Sequence, residues 1–241
     1  MGACALALVL SFSLAATAVA KGTQASLRVV GKGGKVLTEQ SLSTGTTKIK
    51  TSPKATCFGA GTGGSGKSVT VQGATALGLL SQASKSTAAL RPLLVTDAFD
   101  FGLGICGVGG STVQGKSSWY LKVNHKGAQV SGDAVKLHAG DEVLWDLAPS
   151  YPYPNELVLE VPDVTTSGTP FTAHVFSYDE KGKRKPVAGA KVTGASAPSA
   201  ADGSVTVTVM GPTLLQATHG KEIPSPTVCV AGQCPVKQVI S

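Results

Sequence analysis

Hydrophobic and polar residues alternate along most of this chain, in short runs that end at glycine, proline, asparagine or aspartate. Residues 204–210 are an example, because Val205, Val207 and Val209 point to one side of an extended chain and the threonines between them point to the other. This two-residue period predicts strands, and the turn residues between the runs predict hairpins. We therefore expect a mainly β protein.

One segment departs from the alternating pattern. Residues 74–84 place Leu77, Leu80 and Ser84 on one face of a helix. Two strand-like runs joined by a glycine-rich turn, residues 26–30 and 35–40, precede this helix, and further strands follow it. Hairpin, helix and then more strands is the order of a β-grasp-like fold, so we expect an α+β first domain over residues 21–148.

Three prolines within residues 149–155 predict a stiff linker after the first domain, because proline blocks helix and restricts the backbone. Residues 156–241 have no helical period and contain short strand-like runs separated by turn residues. That spacing predicts a second domain, an immunoglobulin-like β-sandwich.

The first twenty residues predict export. The uncharged apolar run ends at Ala18-Val19-Ala20, a small-x-small cleavage pattern, although no Lys or Arg precedes the run. The alternative, a membrane-spanning helix, is less favoured because the run is near the lower length limit and ends in small residues. We predict a signal peptide at residues 1–20, no stable membrane span after its removal, and a secreted or cell-surface location.

The cysteines agree with export, since removal of the signal leaves an even set. We predict two disulfides, Cys57–Cys106 and Cys229–Cys234, because each pair then lies within one predicted domain. Zinc is the alternative for the Cys-x4-Cys spacing, but no Cys/His pair with zinc-finger spacing accompanies it. We predict no metal and no cofactor.

The net charge of +7 is moderate and most basic residues are scattered. The one cluster, Lys181, Lys183, Arg184 and Lys185, has no interleaved aromatic residues and predicts a solvated loop, with attraction to an anionic cell surface as the alternative. We expect no nucleic-acid partner for an exported chain without a recognition motif.

Candidate catalytic motifs are weak. Residues 61–68 match the phosphate-binding pattern G-x-x-x-x-G-K-[ST], but that site needs a helix starting at Lys67, and residues 68–72 predict a strand instead. Asp97 and Asp100 could form a carboxylate pair, although solvated loop carboxylates are the simpler interpretation. His125, His138, His174 and His219 show no metal-ligand spacing. We therefore predict that the chain is not an enzyme.

Two segments resemble a known family. Residues 118–124, SWYLKVN, followed by residues 137–145, LHAGDEVLW, look like the transcobalamin-like C-terminal domain of bacterial exported proteins, with its W-x-x-x-V-N-G and G-D-x-V-x-W patterns. One departure is His125, where the family has glycine. Residues 185–191 and 201–204 resemble immunoglobulin-like or carboxypeptidase-regulatory-like sandwiches. In vertebrate cobalamin carriers the related β domain closes over one side of the corrinoid beside a helical barrel, so the resemblance implies corrinoid-like carriage, although this sequence has no segment for that barrel.

We predict a binding or adhesion-type surface module for an unknown extracellular ligand or cell-surface component. Alternation places Trp119 and Trp145 in the core and predicts that Tyr120, Lys122 and Asn124 share the opposite face of their strand. The predicted ligand-binding residues are Tyr120, Lys122, Asn124, Trp145, Tyr151 and Tyr153. An ordinary solvated face, with the tyrosines packed at the domain junction, is the simpler interpretation. Two further alternatives are a small-molecule carrier with an apolar pocket near Trp145 or the linker tyrosines, and an enzyme whose site the linear sequence hides.

Overall fold

The computed structural model describes residues 22–234, so the predicted signal peptide at residues 1–20 lies outside the described residues. The structure is 42% strand and 8% helix, which confirms the prediction of a mainly β protein. Its one α-helix is α1 (Ala76–Ser86), and two short 3₁₀ turns span Lys32–Gly34 and Ala88–Leu90. Within the described residues no helix is long and apolar enough to cross a membrane.

Eighteen strands are found in the described residues. The strands before the linker are β1 (Thr23–Val30), β2 (Val36–Thr44), β3 (Thr47–Lys50), β4 (Ser68–Val71), β5 (Leu93–Phe99), β6 (Gly102–Val108), β7 (Ser111–Thr112), β8 (Ser118–Val123), β9 (Lys126–Gly127) and β10 (Glu142–Ala148). The strands after it are β11 (Glu156–Glu160), β12 (Phe171–Tyr178), β13 (Arg184–Pro186), β14 (Lys191–Val192), β15 (Ser204–Val207), β16 (Thr213–Leu215), β17 (Ala217–Thr218) and β18 (Val228–Val230).

The largest sheet has the strand order β2-β1-β10-β8-β9. Strand β1 pairs antiparallel with β2 as a hairpin and parallel with β10, and β10 pairs antiparallel with β8. Because side chains alternate along a strand, Leu27 and Val29 face a core that also contains Trp145. Helix α1 covers this inner face with Leu77 and Leu80.

Helix α1 forms where its apolar spacing predicts it, displaced by two residues. Its N-cap is Thr75, whose Oγ1 accepts a hydrogen bond from the Gly78 amide at 3.0 Å. The next amides, of Ala76 and Leu77, donate to carbonyls of the segment 132–135. Residues 128–130 and 134–137 alternate like strands but form turns, which supply acceptors to the start of the helix instead of pairing in a sheet.

The chain after the linker builds a second hydrophobic core. Strand β12 pairs with β11, β13 and β15, and two small sheets, β14-β17 and β16-β18, accompany this sheet. Their inward residues include Leu157, Val175, Val207 and Leu215, all fully buried. We refer to residues 22–148 as the N-terminal half and to residues 156–234 as the C-terminal half.

Both predicted disulfides are present. Cys57 is bonded to Cys106, with their Cα atoms 4.9 Å apart, and Cys229 is bonded to Cys234, with Cα atoms 5.7 Å apart. The first disulfide joins the loop after β3 to strand β6 and is buried, so it fixes that loop against the N-terminal core. The second closes a short exposed loop at the end of the C-terminal half.

The outer face of the largest sheet, opposite α1, is covered by the C-terminal half. Val30 and Leu144 on this face pack against Ile223. Arg28 forms a buried ion pair with Glu156 of β11. We call this contact between the two halves the junction.

Candidate functional site

Seven aromatic rings line one groove on the surface, which we call the aromatic groove. It has a volume of about 410 Å³. Phe58 lies on the disulfide-bonded loop, two phenylalanines lie at the β5–β6 hairpin, the tryptophans lie on β8 and β10, one tyrosine lies on β8 and the other on the linker. The rings belong to Phe58, Phe99, Phe101, Trp119, Tyr120, Trp145 and Tyr153.

The three phenylalanines form one wall of the groove. The rings of Phe99 and Phe101 are stacked with centroids 4.9 Å apart, and the ring of Phe58 lies 6.2 Å from that of Phe99 at a tilted angle. Phe58 reaches this position because the preceding Cys57 is tied to Cys106 of the neighbouring strand β6. Phe58 is nevertheless 64% exposed and Phe101 is 71% exposed, so this wall presents apolar surface to solvent.

Linker tyrosines complete the opposite side. Tyr153 stacks on Tyr120 of β8 with ring centroids 3.9 Å apart. Tyr151 meets Tyr153 edge-on at 5.6 Å and is itself 74% exposed. Aromatic pairs in these arrangements add about 1 kcal/mol beyond burial of their area, so the linker is held against β8 by its own side chains.

Exposed apolar side chains concentrate at this groove. Six large hydrophobic residues are exposed in the described part of the chain, and four of them line the groove or touch its rim. These four are Phe58, Phe101, Val130 and Tyr151, and the two elsewhere are Val164 and Met210. Single exposed hydrophobics are normal, but a contiguous set marks a binding surface.

Polar atoms at the base of the groove lack partners. The Tyr120 hydroxyl and the Trp119 Nε1 are buried and accept or donate no hydrogen bond within residues 22–234. Burial raises the pKa of Tyr120 above its ordinary range, and the charge of Glu180 and the contact of its carboxylate with the hydroxyl act in the same direction. Trp145 Nε1 instead donates to the Ala76 carbonyl at 3.4 Å, which anchors this ring under the groove.

The junction beside the groove contains a cluster of buried charges. Lys122 is 1% exposed, and its Nζ donates to the carbonyls of Tyr178 at 2.9 Å and Asp179 at 3.3 Å. Burial lowers the pKa of Lys122, and attraction to Glu156 opposes that effect. Burial alone would raise the pKa of Glu156, but contact with His125 and the charge of Arg28 outweigh it, so this pKa is lowered.

Asp146 of β10 differs from the other charges of the junction. It is 5% exposed, and its Oδ2 has no hydrogen-bond partner among the described residues. Burial raises the pKa of Asp146 to about 7, although the charges of Arg28 and Lys122 act in the opposite direction. A buried carboxyl without a hydrogen-bond donor is costly to ionise, which explains the direction of this shift.

His125 has a structural role at the junction. Asn124 and His125 form a two-residue hairpin turn with φ of 50° and 67°, the left-handed region where the resembled family has glycine. Strain of about 1–2 kcal/mol at such a residue needs compensation. The His125 ring stacks on Tyr178 at 4.1 Å and places Nδ1 3.2 Å from Glu156 Oε2, so it links the hairpin to the C-terminal half.

The structure brings four of the six predicted site residues together. Trp145, Tyr120 and Tyr153 line the groove, and Tyr151 lies at its rim. The exposed patch expected at Tyr120 and Lys122 is wrong, because the C-terminal half covers that face of β8 and leaves them 7% and 1% exposed. Strand alternation correctly separated the two faces but carried no information on what covers the outer one.

Asn124 lies away from the groove. Its side chain closes the hairpin turn, because Nδ2 donates to Asp141 Oδ1 and Oδ1 accepts from the Glu142 amide, each at 2.9 Å. Sequence reasoning missed the phenylalanines at 58, 99 and 101, which lie far apart in the chain. The available signal was the adjacency of Phe58 to a disulfide cysteine and of the other two to Asp100 and Gly102, residue types that favour turns.

Residues 61–68, which match the phosphate-binding pattern, form hydrogen bonds with a carboxylate of the protein itself. Strand β4 follows it at Ser68, and no helix starts at Lys67. Asp97 accepts hydrogen bonds from the Ser65 amide at 2.6 Å and the Ser65 hydroxyl at 2.5 Å, and these bonds lower the pKa of Asp97. In residues 22–234 no group of three or more His, Cys, Asp or Glu side chains could hold a metal ion.

Comparison with known proteins gives no relative. No protein family model, no curated protein and no solved structure matches this chain.

Proposed function

We propose that this chain is an exported, non-enzymatic binding module that holds a small ligand with a flat apolar face in the aromatic groove. The observation that carries the proposal is the gathering of exposed Phe58, Phe101 and Tyr151 around one concave surface. Such rings give up unfavourable contact with water when a ligand covers them.

The proposal includes the finer fold assignment, a β-grasp-like N-terminal domain joined to an immunoglobulin-like sandwich. Parallel pairing of the first strand, β1, with the last strand of that half, β10, supports the first part, as does the single helix on one face. Separate pairing of β12 with three neighbours supports a sandwich in the C-terminal half. On this proposal the C-terminal half supports the groove, because Glu180 lines its edge.

A small ligand fits the groove better than a broad adhesive contact. The volume of about 410 Å³ falls in the range of roughly 300–1,000 Å³ for small-molecule sites. A carrier requires a concave apolar pocket near Trp145 or the linker tyrosines, and the groove lies there. A corrinoid is larger than the ligands that such a volume encloses, so only an edge of one would enter the groove.

Tryptophan fluorescence tests the proposal directly. The chain has two tryptophans, and both line the groove, so intrinsic emission reports on this site without a label. We would titrate the secreted, disulfide-bonded protein with anilinonaphthalene sulfonate as a flat apolar probe, with cyanocobalamin, and with soluble cell-wall polymers. Saturable quenching by the flat probe supports small-ligand binding. Saturation by polymers alone would replace it with the adhesion function, and no saturable change with any probe would refute both.

A further inference from the structure

A second cavity lies at the junction, on the side away from the tryptophans. It has a volume of about 630 Å³ and is bounded by the turn Lys32–Gly34, the end of β10, the linker and the loop at residues 216–224. We call it the junction cleft. Cavities between two structural units are common positions for ligand sites. Neither tryptophan lines this cleft, so it is separate from the aromatic groove.

Asp146 is one of the residues that line the junction cleft, and it is 5% exposed. The two cations nearest to it are already engaged elsewhere, since Arg28 bonds to Glu156 and to the Pro224 carbonyl, and Lys122 bonds to carbonyls of the C-terminal half. Asp146 therefore has compensating charge nearby but lacks a hydrogen-bond donor for Oδ2. A buried acceptor in this state is stabilised when a donor reaches its carboxyl group. A pKa moved to about 7 in a cleft is typical of functional groups.

The other charged residues that line the cleft differ in whether they already have partners. Glu222 is engaged by His219 at 3.0 Å and by Asn155 at 3.3 Å. Lys32 and Lys221 also line the cleft, are exposed, and form no ion pair with any residue in the range 22–234. The cleft thus offers two available ammonium groups and one acceptor that needs an uncharged donor.

We propose that the junction cleft binds a small acidic polyol, such as a sugar acid, whose hydroxyl donates to Asp146 while its anionic group is attracted to Lys32 and Lys221. A hydroxyl can donate to the Asp146 carboxyl without adding a third cation near Arg28 and Lys122. A side-chain amide and a hydroxyl elsewhere on the lining, from Gln114 and Thr112, match the further hydroxyls of such a ligand.

Isothermal titration calorimetry with three matched sugars tests this assignment at pH 7. Glucuronate, glucose and glucosamine share one ring and differ in charge, so the proposal predicts saturable binding of glucuronate, at least fivefold weaker binding of glucose, and no binding of glucosamine. Titration with a polyuronate chain distinguishes a free sugar acid from an acidic polymer as the ligand. Binding of glucuronate without binding of the polyuronate identifies a free sugar acid. Binding of both glucuronate and the polyuronate identifies a polymer. Preference for glucosamine, or no binding of glucuronate, would overturn the proposal.

Variants locate the site. Lys221→Ala is expected to weaken glucuronate binding about fivefold, as loss of one exposed charge contact does, whereas Lys183→Ala makes the same charge change on an exposed residue outside the cleft and is expected to have no effect. Asp146→Leu keeps a similar shape and removes the acceptor, so binding should weaken at least tenfold. Thermal unfolding checks that this variant folds. Equal effects of the two lysine variants would refute the site.

The two proposals fail independently. Glucuronate in the junction cleft should leave tryptophan emission unchanged, because neither ring lines that cavity. Quenching by glucuronate would assign it to the aromatic groove and would overturn the junction site. Failure of apolar probes at the groove would leave the calorimetric result intact.

Discussion

The substitution Asp146→Asn tests whether the junction holds a carboxyl that is unfavourable to ionise. Asparagine has nearly the same shape and no charge, so it resembles the protonated form of Asp146 at every pH. The pKa of Asp146 rises from 3.8 to about 7 on folding. Each unit corresponds to about 1.4 kcal/mol, so the ionised carboxylate lowers the free energy of unfolding by about 4 kcal/mol at pH 8.

The sign follows from proton binding. Because the pKa of Asp146 is higher in the folded protein, the folded state binds more protons than the unfolded state between about pH 4 and pH 7. The stabilising contribution is complete below pH 3.8 and is lost as pH rises through 7. Asp146→Asn should therefore be about 4 kcal/mol more stable than the parent protein at pH 8, with a difference near zero at pH 4. Effects of Glu156 at acid pH occur in both proteins and cancel.

Urea unfolding followed by far-ultraviolet circular dichroism, at pH 4, 6 and 8, measures this difference. The control is Asp163→Asn, which changes the same chemical group on an exposed loop and should shift stability by less than about 0.5 kcal/mol. Parallel pH curves for the parent protein and Asp146→Asn, or a less stable variant at pH 8, would refute the account of the junction.

Three further substitutions probe the fold. Arg28→Met removes the cation closest to buried Glu156, which then keeps only the longer contacts with His125 at 3.2 Å and Lys122 at 3.8 Å. The free energy of unfolding should fall by about 3 kcal/mol in urea titrations, and an unchanged midpoint would contradict that role. Thr75→Ala removes the N-cap of α1 and should cost about 1 kcal/mol, measured by thermal unfolding, whereas no loss would argue against the cap. Replacing Cys57 and Cys106 together by alanine opens a loop of 49 residues and should cost about 4 kcal/mol in chain entropy, and a loss below about 1 kcal/mol would contradict the estimate.

Local pattern was sufficient for much of the fold. The period of Leu77 and Leu80 located the helix to within two residues, and the glycine-rich turn at residues 31–34 located the first hairpin. Both signals depend only on residues that are close together in the chain, so the sequence alone is enough to detect them. The disulfide pairing followed from keeping each pair within one predicted domain, and both bonds are present.

The site depends on long-range contacts that no local pattern contains. Lys122 stands in a strand whose alternation is typical of a solvated outer face, yet it is 1% exposed because residues more than fifty positions later cover it. Phe58 meets Phe99 because a disulfide ties the loop of Phe58 to strand β6, and the separation of the two rings in sequence hides the wall that they share. The sequence does predict Trp145 and Tyr153, because both are aromatic residues in or close to the proline-rich linker.

The most direct test of the aromatic groove compares two exposed hydrophobic residues. Phe101→Ala removes a ring that is 71% exposed at the groove, and Met210→Ala removes a side chain that is 85% exposed elsewhere, so neither should disturb the core. Tryptophan quenching by anilinonaphthalene sulfonate gives the Kd of each variant. We predict at least tenfold weaker binding for Phe101→Ala and an unchanged Kd for Met210→Ala. Equal Kd values for the two variants would contradict a ligand site in the groove.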